Sequence, residues 1–336
     1  MKSRKLFYLC ARKMDIREEI GQKMNALGSK GEAFVFLIDF DQKEAIILPP
    51  GDDSQLLWQA GSKANFTPQK PGARIEKWKT HPISFEAYQK GFDLVQHHIH
   101  NGDTYLLNYT QPTSIECNLS LEEIFHLSSA RYKLMLKDRF VCFSPETFVQ
   151  INDGTIASFP MKGTIDANSS NAQEELLNDT KELAEHNTIV DLIRNDLSLV
   201  AENVSVEKFR YLDRIQTRQR DLWQVSSKIT GRLPEDYAPH IGDILFTLLP
   251  AGSVSGAPKK KTVEVIHAAE NYQRGFYTGI FGYFDGRNLD SCVLIRYIEN
   301  MDGQLVYKSG GGITFMSDAK KEYEELLNKV YVPIID

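Results

Sequence analysis

The segment FVQINDGTIASF, residues 148–159, decides the fold class of this chain. Two apolar runs, 148–151 and 155–159, flank the triplet Asn152-Asp153-Gly154. These three residue types tolerate the backbone angles of a tight hairpin turn, so the triplet predicts a turn between two antiparallel strands. We therefore expect antiparallel pairing in the sheet to which this segment belongs.

Further strands and helices are predicted on both sides of the hairpin. Phe85, Tyr88, Phe92 and Val95 recur at helical spacing and predict a helix over 84–100. The other predicted elements are strands at 33–39, 44–48, 104–108, 140–143, 278–284, 290–298 and 304–309, helices at 172–199, 259–270 and 319–330, and a long loop at 65–78. Strands dominate and most neighbours can pair antiparallel. The pattern therefore predicts an α+β fold rather than a parallel, doubly wound one.

Composition limits the possible classes of function. The 336 residues contain no clear linker, so we expect one domain over 1–336, with a short N-terminal part (1–83) and a motif-bearing catalytic region (84–332). The net charge of −6 provides no basic field for nucleic acid. No apolar run reaches the roughly 18 residues of a membrane span, and the stretch 6–10 is too short for a secretory signal. Scattered cysteines, at Cys10, Cys117, Cys142 and Cys292, favour reduced thiols in a cytoplasmic protein.

Two pairs of glutamates suggest a metal site. Glu182 and Glu185 are three residues apart, as are Glu322 and Glu325, and this spacing places each pair on one face of a helix. A solvated helix face is the commoner reason for such a pattern. Two such faces turned together would suit Mg²⁺, which prefers oxygen ligands, keeps several waters and often takes only one or two carboxylates beside a substrate oxyanion.

Two glycine-rich stretches are candidate anion sites. Gly310-Gly311-Gly312 precedes the helix of the second glutamate pair, so a loop there could turn several backbone N–H groups toward one anion. A merely flexible loop is the alternative. PAGSVSGAPK, at 250–259, could form a tight turn before a helix that starts near Pro258. It is not a P-loop, because two residues separate its last glycine from the lysine.

Lys162 is the most informative single residue. It follows the hairpin within PMKGT, residues 160–164, where an exposed cation is the ordinary expectation. To act as a nucleophile it must lose its proton, which requires a pKa well below the free value of about 10.4. Burial or a neighbouring cation would lower the pKa in this way. Glu146, in SPE at 144–146, could lie across the hairpin and protonate a leaving hydroxyl.

Two arginines lead to different expectations. Arg296 ends an apolar strand, where a buried charge must be paired, and its planar guanidinium suits a carboxylate. Arg194, in RND at 194–196, lies on a helix that also carries Asp191. That motif fits a buried structural polar network and a functional site equally well.

Taken in order, these motifs resemble those of the chorismate-utilising enzymes over about residues 84–332. The matching stretches are GDTY (102–105), SPE (144–146), PMKGT (160–164), KELAEHNTIVDLIRND (181–196), PAGSVSGAPK (250–259), RGFYTGIFGY (274–283), IR (295–296) and residues 309–329. Each is weak alone, and their shared order and spacing carry the resemblance.

The resemblance implies a fold and a set of roles. The fold is a pair of facing antiparallel β-sheets with helices packed outside and an active site in the cleft between them. The implied roles are Glu185 and Glu325 as direct Mg²⁺ ligands, Glu182 and Glu322 as supports through water, Gly310, Gly311 and Gly312 beside the ring carboxylate of chorismate, Arg296 and Tyr277 on its enolpyruvyl carboxylate, and Ser253 near the substrate.

Lys162 separates members of this family, because para-aminating synthases carry Lys in this motif and anthranilate synthases carry Ala. The resemblance implies that Lys162 adds at ring C2 and expels the C4 hydroxyl, with Glu146 as general acid. Ammonia then adds at C4 and expels the lysine, giving 4-amino-4-deoxychorismate for p-aminobenzoate and folate synthesis. The alternatives are anthranilate synthesis, a non-catalytic chorismate-binding homologue and nucleotide binding at 250–259.

The supply of ammonia and the departures from the family pattern complete these expectations. Because no GxCxG-type elbow is present, we expect a separate glutamine amidotransferase subunit to supply ammonia. Gln224 stands where the family usually has His, so no histidine role near the C4 oxygen is inferred. Leu106 stands where isochorismate and salicylate synthases use a water-activating Lys, which disfavours those reactions. We find no tryptophan-sensing motif and expect no feedback by tryptophan.

Overall fold

The computed structural model describes residues 16–68, 72, 74–169, 171–215 and 222–334. The N-terminal stretch 1–13, with Cys10, lies outside the described residues, as does part of the predicted loop 65–78. Cys117, Cys142 and Cys292 are free thiols, as expected. Within the described ranges, no helix is both long enough and apolar enough to cross a membrane.

Two nine-stranded sheets form the framework, and every pairing between named strands is antiparallel. In chain order the strands are β1 (Phe34–Ile38), β2 (Ala45–Leu48), β3 (Leu56–Ala60), β4 (Lys63–Ala64), β5 (Trp78–Pro82), β6 (Leu106–Cys117), β7 (Tyr132–Leu136), β8 (Phe140–Ser144), β9 (Thr147–Asn152), β10 (Thr155–Ser158), β11 (Met161–Asp166), β12 (Glu202–Ile215), β13 (Leu222–Arg232), β14 (Gly256–Ala257), β15 (Ile280–Phe284), β16 (Leu289–Val293), β17 (Tyr297–Met301) and β18 (Gln304–Ile313). The helices are α1 (Ile16–Ser29), α2 (Phe85–His100), α3 (Leu121–Leu127), α4 (Ala172–Asn178), α5 (Thr180–Ser198), α6 (Ile241–Leu248), α7 (Lys259–Ala269) and α8 (Ala319–Asn328), with 3₁₀ turns at Ala238–His240 and Gly252–Val254.

The two sheets differ in strand order. The first runs β11-β13-β10-β9-β16-β15-β1-β2, with β12 beside β13. The second runs β14-β6-β18-β17-β8-β7-β3-β4, with β5 beside β6. The predicted α+β class with two antiparallel sheets is confirmed.

Side-chain alternation along β1 shows how the layers pack. Val35 and Leu37 enter a core shared with strands of the second sheet, including β3, β7 and β8. Phe34, Phe36 and Ile38 point to the opposite face, where they pack in one core with α1, α5 and α6. Successive strand residues point to opposite faces, so one short apolar strand fills two cores. The sheets therefore face each other, and helices cover the outer faces.

The hairpin predicted from residues 148–159 is present. Strands β9 and β10 pair with Asn152 opposite Thr155. Asp153 and Gly154 lie between them with φ of 49° and 76°. Positive φ at both central residues is the geometry that a two-residue hairpin loop requires, and Asp and Gly adopt it readily.

Two predicted elements were wrong in their continuity. The helix predicted over 172–199 is two helices, because Asp179 leaves the helical conformation and its side chain accepts a hydrogen bond from Glu182 N, capping α5. The strand predicted over 290–298 is also two, β16 and β17, separated where Arg296 adopts a φ of 54°. The left-handed φ interrupts the regular strand geometry here, and β16 and β17 belong to different sheets.

A buried ion pair joins elements that are distant in the sequence. The Arg274 and Glu270 side chains are 2% and 1% exposed, and Arg274 Nη2 lies 2.6 Å from Glu270 Oε1. Arg274 also donates to the carbonyls of Val254 (2.8 Å) and Asn108 (2.6 Å). Glu270 accepts from both the N–H and the hydroxyl of Thr110, each at 2.8 Å. The pair therefore ties α7 to β6 and to the turn that follows α6.

We expect Arg274→Met to lower the free energy of unfolding by about 3–5 kcal/mol, because it leaves the Glu270 carboxylate buried without its cation. Urea denaturation followed by circular dichroism measures this loss. Arg287→Met is the matched control, since Arg287 pairs with Asp153 where the two side chains are 71% and 78% exposed. Equal losses in the two variants would contradict the importance of the buried pair.

Candidate active site

A cleft of ≈ 650 Å³ lies where the two sheets, α5 and α8 meet. Its size falls within the roughly 300–1,000 Å³ common for small-molecule sites. Strands β11 and β13 of the first sheet and β6 and β18 of the second all contribute to its lining. Every site residue predicted from the sequence lines this one cleft: Glu146, Lys162, Glu182, Glu185, Ser253, Tyr277, Arg296, Gly310, Gly311, Gly312, Glu322 and Glu325.

Lys162 reaches the cleft from an irregular point of β11. The pairing of β11 with β13 shifts between Lys162 and Thr164. Gly163, between them, has a φ of 70°, and a Cβ there would lie 2.9 Å from Leu176 and 3.2 Å from Glu182 Oε2. A side chain at this position would therefore be strained and crowded. The glycine allows the bulge from which Lys162 extends toward α5.

The Lys162 ammonium is held by a carboxylate. Its Nζ donates to Glu185 Oε2 at 2.9 Å, and the two side chains are 25% and 8% exposed. Burial acts to lower the pKa of Lys162, but Glu185, Glu182 and Glu325 outweigh it, so the pKa lies above the ordinary value. The lowered pKa expected from the sequence is therefore absent while these carboxylates keep their charge.

Glu146 has the environment of a proton donor. Burial raises its pKa, while a hydrogen bond from Ser253 and the charges of Lys162, Lys329 and Arg296 act in the opposite direction. Ser253 Oγ donates to Glu146 Oε1. A carboxyl group whose pKa is raised by burial keeps its proton closer to neutral pH.

Each glutamate pair lies on one helix, as the spacing predicted, and both pairs line the cleft. Glu182 and Glu185 lie in the first turns of α5, and Glu322 and Glu325 lie on α8. Glu185 and Glu322 are each 6% exposed, whereas the Glu325 side chain is 54% exposed. Each pair therefore contains one buried glutamate, which an ordinary solvated face does not. Within the part of the chain that the structure describes, no three His, Cys, Asp or Glu side chains converge closely enough to form a metal cluster.

A second lysine, Lys329, holds the other predicted ligand. Its Nζ lies 2.7 Å from Glu325 Oε1 and donates to the Gly310 carbonyl at 2.7 Å. Lys329 was not singled out from the sequence, although it follows Glu325 by four residues on the same helix end. The two carboxylates expected to bind a cation directly, Glu185 and Glu325, are thus each paired with an ammonium.

The glycine triplet does not form the loop that was predicted. Gly310–Gly312 belong to β18 and pair with Asn108–Thr110 of β6. A Cβ on Gly310 would lie 2.3 Å from Tyr109 O, and one on Gly312 would lie 3.4 Å from Lys162 Nζ. The glycines therefore allow β6 and Lys162 to approach closely. Pairing of β18 with β17 ends at Lys308, so the other edge of this segment has no β17 residue opposite it.

Arg296 projects into the cleft from the break between β16 and β17. Its guanidinium lies 4.9 Å from the centroid of the Tyr331 ring. Among the described side chains, no carboxylate forms an ion pair with Arg296, so its guanidinium can bind an anion. Tyr277 is buried beside it, and burial raises the pKa of Tyr277, which keeps its hydroxyl a neutral hydrogen-bond donor. Tyr331, in the C-terminal segment, was missed because an isolated Tyr carries no sequence signal.

The remaining sequence motifs have structural explanations. Arg194 pairs with Asp191 at 2.7 Å where the two side chains are 43% and 63% exposed, so this part of the motif is a surface pair rather than a buried network. Asp196 instead pairs with Lys259 at 2.9 Å. The predicted helix start near Pro258 is confirmed, since Pro258 is the N-cap of α7. Leu106 and Gln224 both line the cleft.

Comparison with known proteins places this geometry in a family. The profile described as chorismate binding enzyme matches residues 22–334. An uncharacterized PabA-like protein of Pasteurella multocida is 51% identical over 317 residues, covering 93% of this chain and 98% of that protein.

Two relatives with named activities are more distant. Anthranilate synthase component 1 of Acetivibrio thermocellus is 34% identical, over 74% of this chain and 52% of its own length. Aminodeoxychorismate synthase component 1 of Escherichia coli is 28% identical, over 88% of this chain and 67% of its own length. The solved structure of MenF, the menaquinone-specific isochorismate synthase of Escherichia coli, superposes with a TM-score of 0.72 at 17% identity, covering 96% of this chain and 82% of that chain. At that identity the superposition shows the fold alone.

We expect Ser253→Ala to raise the pKa of Glu146 further, because the substitution removes a hydrogen bond to the charged carboxylate. Carbon-13 NMR of glutamate-labelled protein, with the resonance assigned by its loss in Glu146→Gln, measures the shift. Ser255→Ala is the matched control, since Ser255 Oγ donates to Ala251 O instead. An unchanged or lowered pKa in Ser253→Ala would show that the hydrogen bond does not tune Glu146.

Proposed function

The chain belongs to the chorismate-binding enzyme family, and we propose that it aminates chorismate at C4 to form 4-amino-4-deoxychorismate, with Lys162 as a covalent nucleophile. The observation that carries this proposal is the position of Lys162. Its Nζ lies in the cleft, bonded to Glu185, beside Gly312 and close enough to Glu146 for their charges to interact. A nucleophile and an acid on one cleft are the two groups that replacement of a hydroxyl requires.

The first step displaces the C4 hydroxyl. The neutral amine of Lys162 bonds to ring C2, the two ring double bonds shift, and the C4–O bond breaks. Glu146 supplies the proton that lets the hydroxyl depart as water, a role supported by its raised pKa. In the second step ammonia bonds to C4 and the two double bonds shift back. The C2–Nζ bond breaks, and its electron pair returns to Lys162.

Lysine activation requires that the carboxylates around Lys162 be neutralised. Their charge keeps the pKa of Lys162 above its ordinary value, and burial alone would lower it. A divalent cation on Glu185 would compete with the ammonium for the same carboxylate. A cation held by Glu185 would offset the charge of that carboxylate, and burial would then act to lower the pKa of Lys162.

The carboxylates fit Mg²⁺ by their chemistry. Four glutamates on two helices offer hard oxygen ligands, and Mg²⁺ needs only one or two of them beside waters and a substrate oxygen. Glu185 and Glu325 would hold the ion directly, with Glu182 and Glu322 behind them. The ion would supply positive charge for the ring carboxylate of chorismate. Binding of Mg²⁺ through one or two carboxylates, waters and a substrate oxygen does not require three protein ligands that converge on one point.

The other end of the cleft suits the second carboxylate of chorismate. Arg296 offers a guanidinium without an ion-pair partner among the described residues, and Tyr277 offers a neutral hydroxyl. A guanidinium and a carboxylate form two parallel hydrogen bonds, which fixes orientation as well as position. In this arrangement the cation and Arg296 each bind one carboxylate of chorismate, and ring C2 faces Lys162.

Ammonia is proposed to come from a separate glutamine amidotransferase subunit. Among the described cysteines, Cys142 and Cys292 are buried in the core, and burial raises the pKa of Cys117. None of these three thiols therefore has the lowered pKa of a reactive nucleophile.

We expect Lys162→Ala to reduce C4 amination by at least about a thousandfold, because the covalent route loses its nucleophile. Chromatography of the products from chorismate, Mg²⁺ and ammonium salt measures this, and glutamine alone should give no product. Lys228→Ala, on the neighbouring strand β13, is the control, with circular dichroism confirming both folds. Wild-type protein that forms anthranilate instead would favour the ortho-aminating alternative, which the 34% identical relative supports.

We expect Glu325→Gln to weaken metal binding by at least about tenfold, which corresponds to about 1.4 kcal/mol. Electron paramagnetic resonance of Mn²⁺ as a probe measures binding, and activity with Mg²⁺ measures function. Glu264→Gln, an equal charge change on the exposed side of α7, is the control. Full wild-type activity in excess chelator would exclude the metal role.

A further inference from the structure

A second, smaller cavity lies behind the wall that Glu146 and Ser253 present to the cleft. It offers ≈ 20 Å³ to a water-sized molecule. On this scale one water needs roughly 10–15 Å³. The cavity therefore has room for a single molecule of about that size.

The cavity and the cleft share one wall. Glu146, Pro160, Gly252 and Ser253 line both spaces. The shared acid is the same Glu146 that protonates the departing hydroxyl in the proposed reaction. A molecule in the cavity thus lies next to the proton donor at C4 without occupying the place of the substrate.

Asp196 also lines the cavity. Its carboxylate lies 2.9 Å from Lys259 Nζ, and the two side chains remain 14% and 21% exposed, so this part of the lining lies near solvent. A Cβ on Gly252 would lie 2.9 Å from Asp196 Oδ2, so a side chain at this lining position would crowd Asp196. Apolar side chains, Val149 and Leu197 among them, also line the cavity.

The lining side chains offer hydrogen-bond acceptors more than donors. Ser158 Oγ donates to Phe148 O at 2.9 Å, and Ser253 Oγ donates to Glu146. The hydroxyl hydrogens of Ser158 and Ser253 are therefore already used in hydrogen bonds. The lone pairs of both hydroxyl oxygens and the Asp196 carboxylate can still accept hydrogen bonds. A guest with three or four N–H donors satisfies more of these acceptors than water, which has two hydrogens.

We propose that this cavity is the binding site from which ammonia reaches C4. The inference rests on the proposed function. Ammonium enters past Asp196 and transfers one proton to Glu146, which has become a carboxylate after protonating the hydroxyl. Neutral ammonia then forms the C4–N bond as the C2–Nζ bond breaks. The bond pair returns to Lys162 as a neutral amine, and the product carries an ammonium group at C4.

The test narrows the cavity by one methylene. In Val149→Ile, the KM for ammonium at saturating chorismate should rise by about tenfold or more, since loss of one hydrogen bond to a charged group has this size. The KM for chorismate should not change. The rate at which ¹⁸O from water enters the C4 hydroxyl in the absence of ammonium should also stay unchanged, because this exchange reports only the steps of Lys162 and Glu146. Val265→Ile, an equally buried valine on α7, is the control.

A second variant works in the opposite direction and guards against misfolding of the first. Val149→Ala enlarges the cavity and should let methylamine replace ammonium, which the wild type should reject. An unchanged ammonium KM in folded Val149→Ile, or equal losses of ¹⁸O exchange and amination, would overturn the ammonia site. Absence of both exchange and aminated product in the wild type would instead refute the proposed function.

Discussion

The guanidinium of Arg274, buried against Glu270, is the contact on which the cleft most depends. A guanidinium has five N–H donors in a fixed plane, and here they reach the Glu270 carboxylate, the carbonyls of Val254 and Asn108 and the Thr278 hydroxyl. These partners belong to the turn that carries Ser253, to the strand that flanks the glycines and to the residue that follows Tyr277. One side chain thus sets the relative positions of three walls of the site. A lysine, with a single ammonium, could not replace this geometry.

Charge balance is the second organising feature of the cleft. Its acidic helix faces would repel one another without compensation, and two lysines provide it: Lys162 for Glu185 and Lys329 for Glu325. Each lysine holds the carboxylate that the proposed reaction assigns to a cation. In the proposed reaction, a cation on Glu185 would take the place of the Lys162 ammonium.

Close backbone approach explains the glycines better than an anion loop does. Gly310 lets β18 lie against Tyr109 of β6, Gly312 leaves room for Lys162 Nζ, and Gly163 allows the bulge that carries Lys162. The absence of side chains at these points brings the two sheets and the nucleophile together. Gly252 has the same property beside Asp196, since a Cβ there would lie 2.9 Å from Asp196 Oδ2.

The sequence alone determined features that depend on neighbouring residues. Turn chemistry fixed the hairpin at Asp153-Gly154, the i and i+3 spacing fixed the common face of each glutamate pair, and the order of motifs indicated the family. Only the tertiary structure decided features that depend on residues far apart in the chain. It placed the glycine triplet in a strand because β6, some two hundred residues earlier, pairs with it. It also determined that the pKa of Lys162 is raised rather than lowered, because Glu185 and Glu325 approach it from different helices. Local spacing determines which face of its own helix or strand a side chain occupies. The electrostatic field and the packing around that side chain depend on contacts between distant residues, which no local pattern encodes.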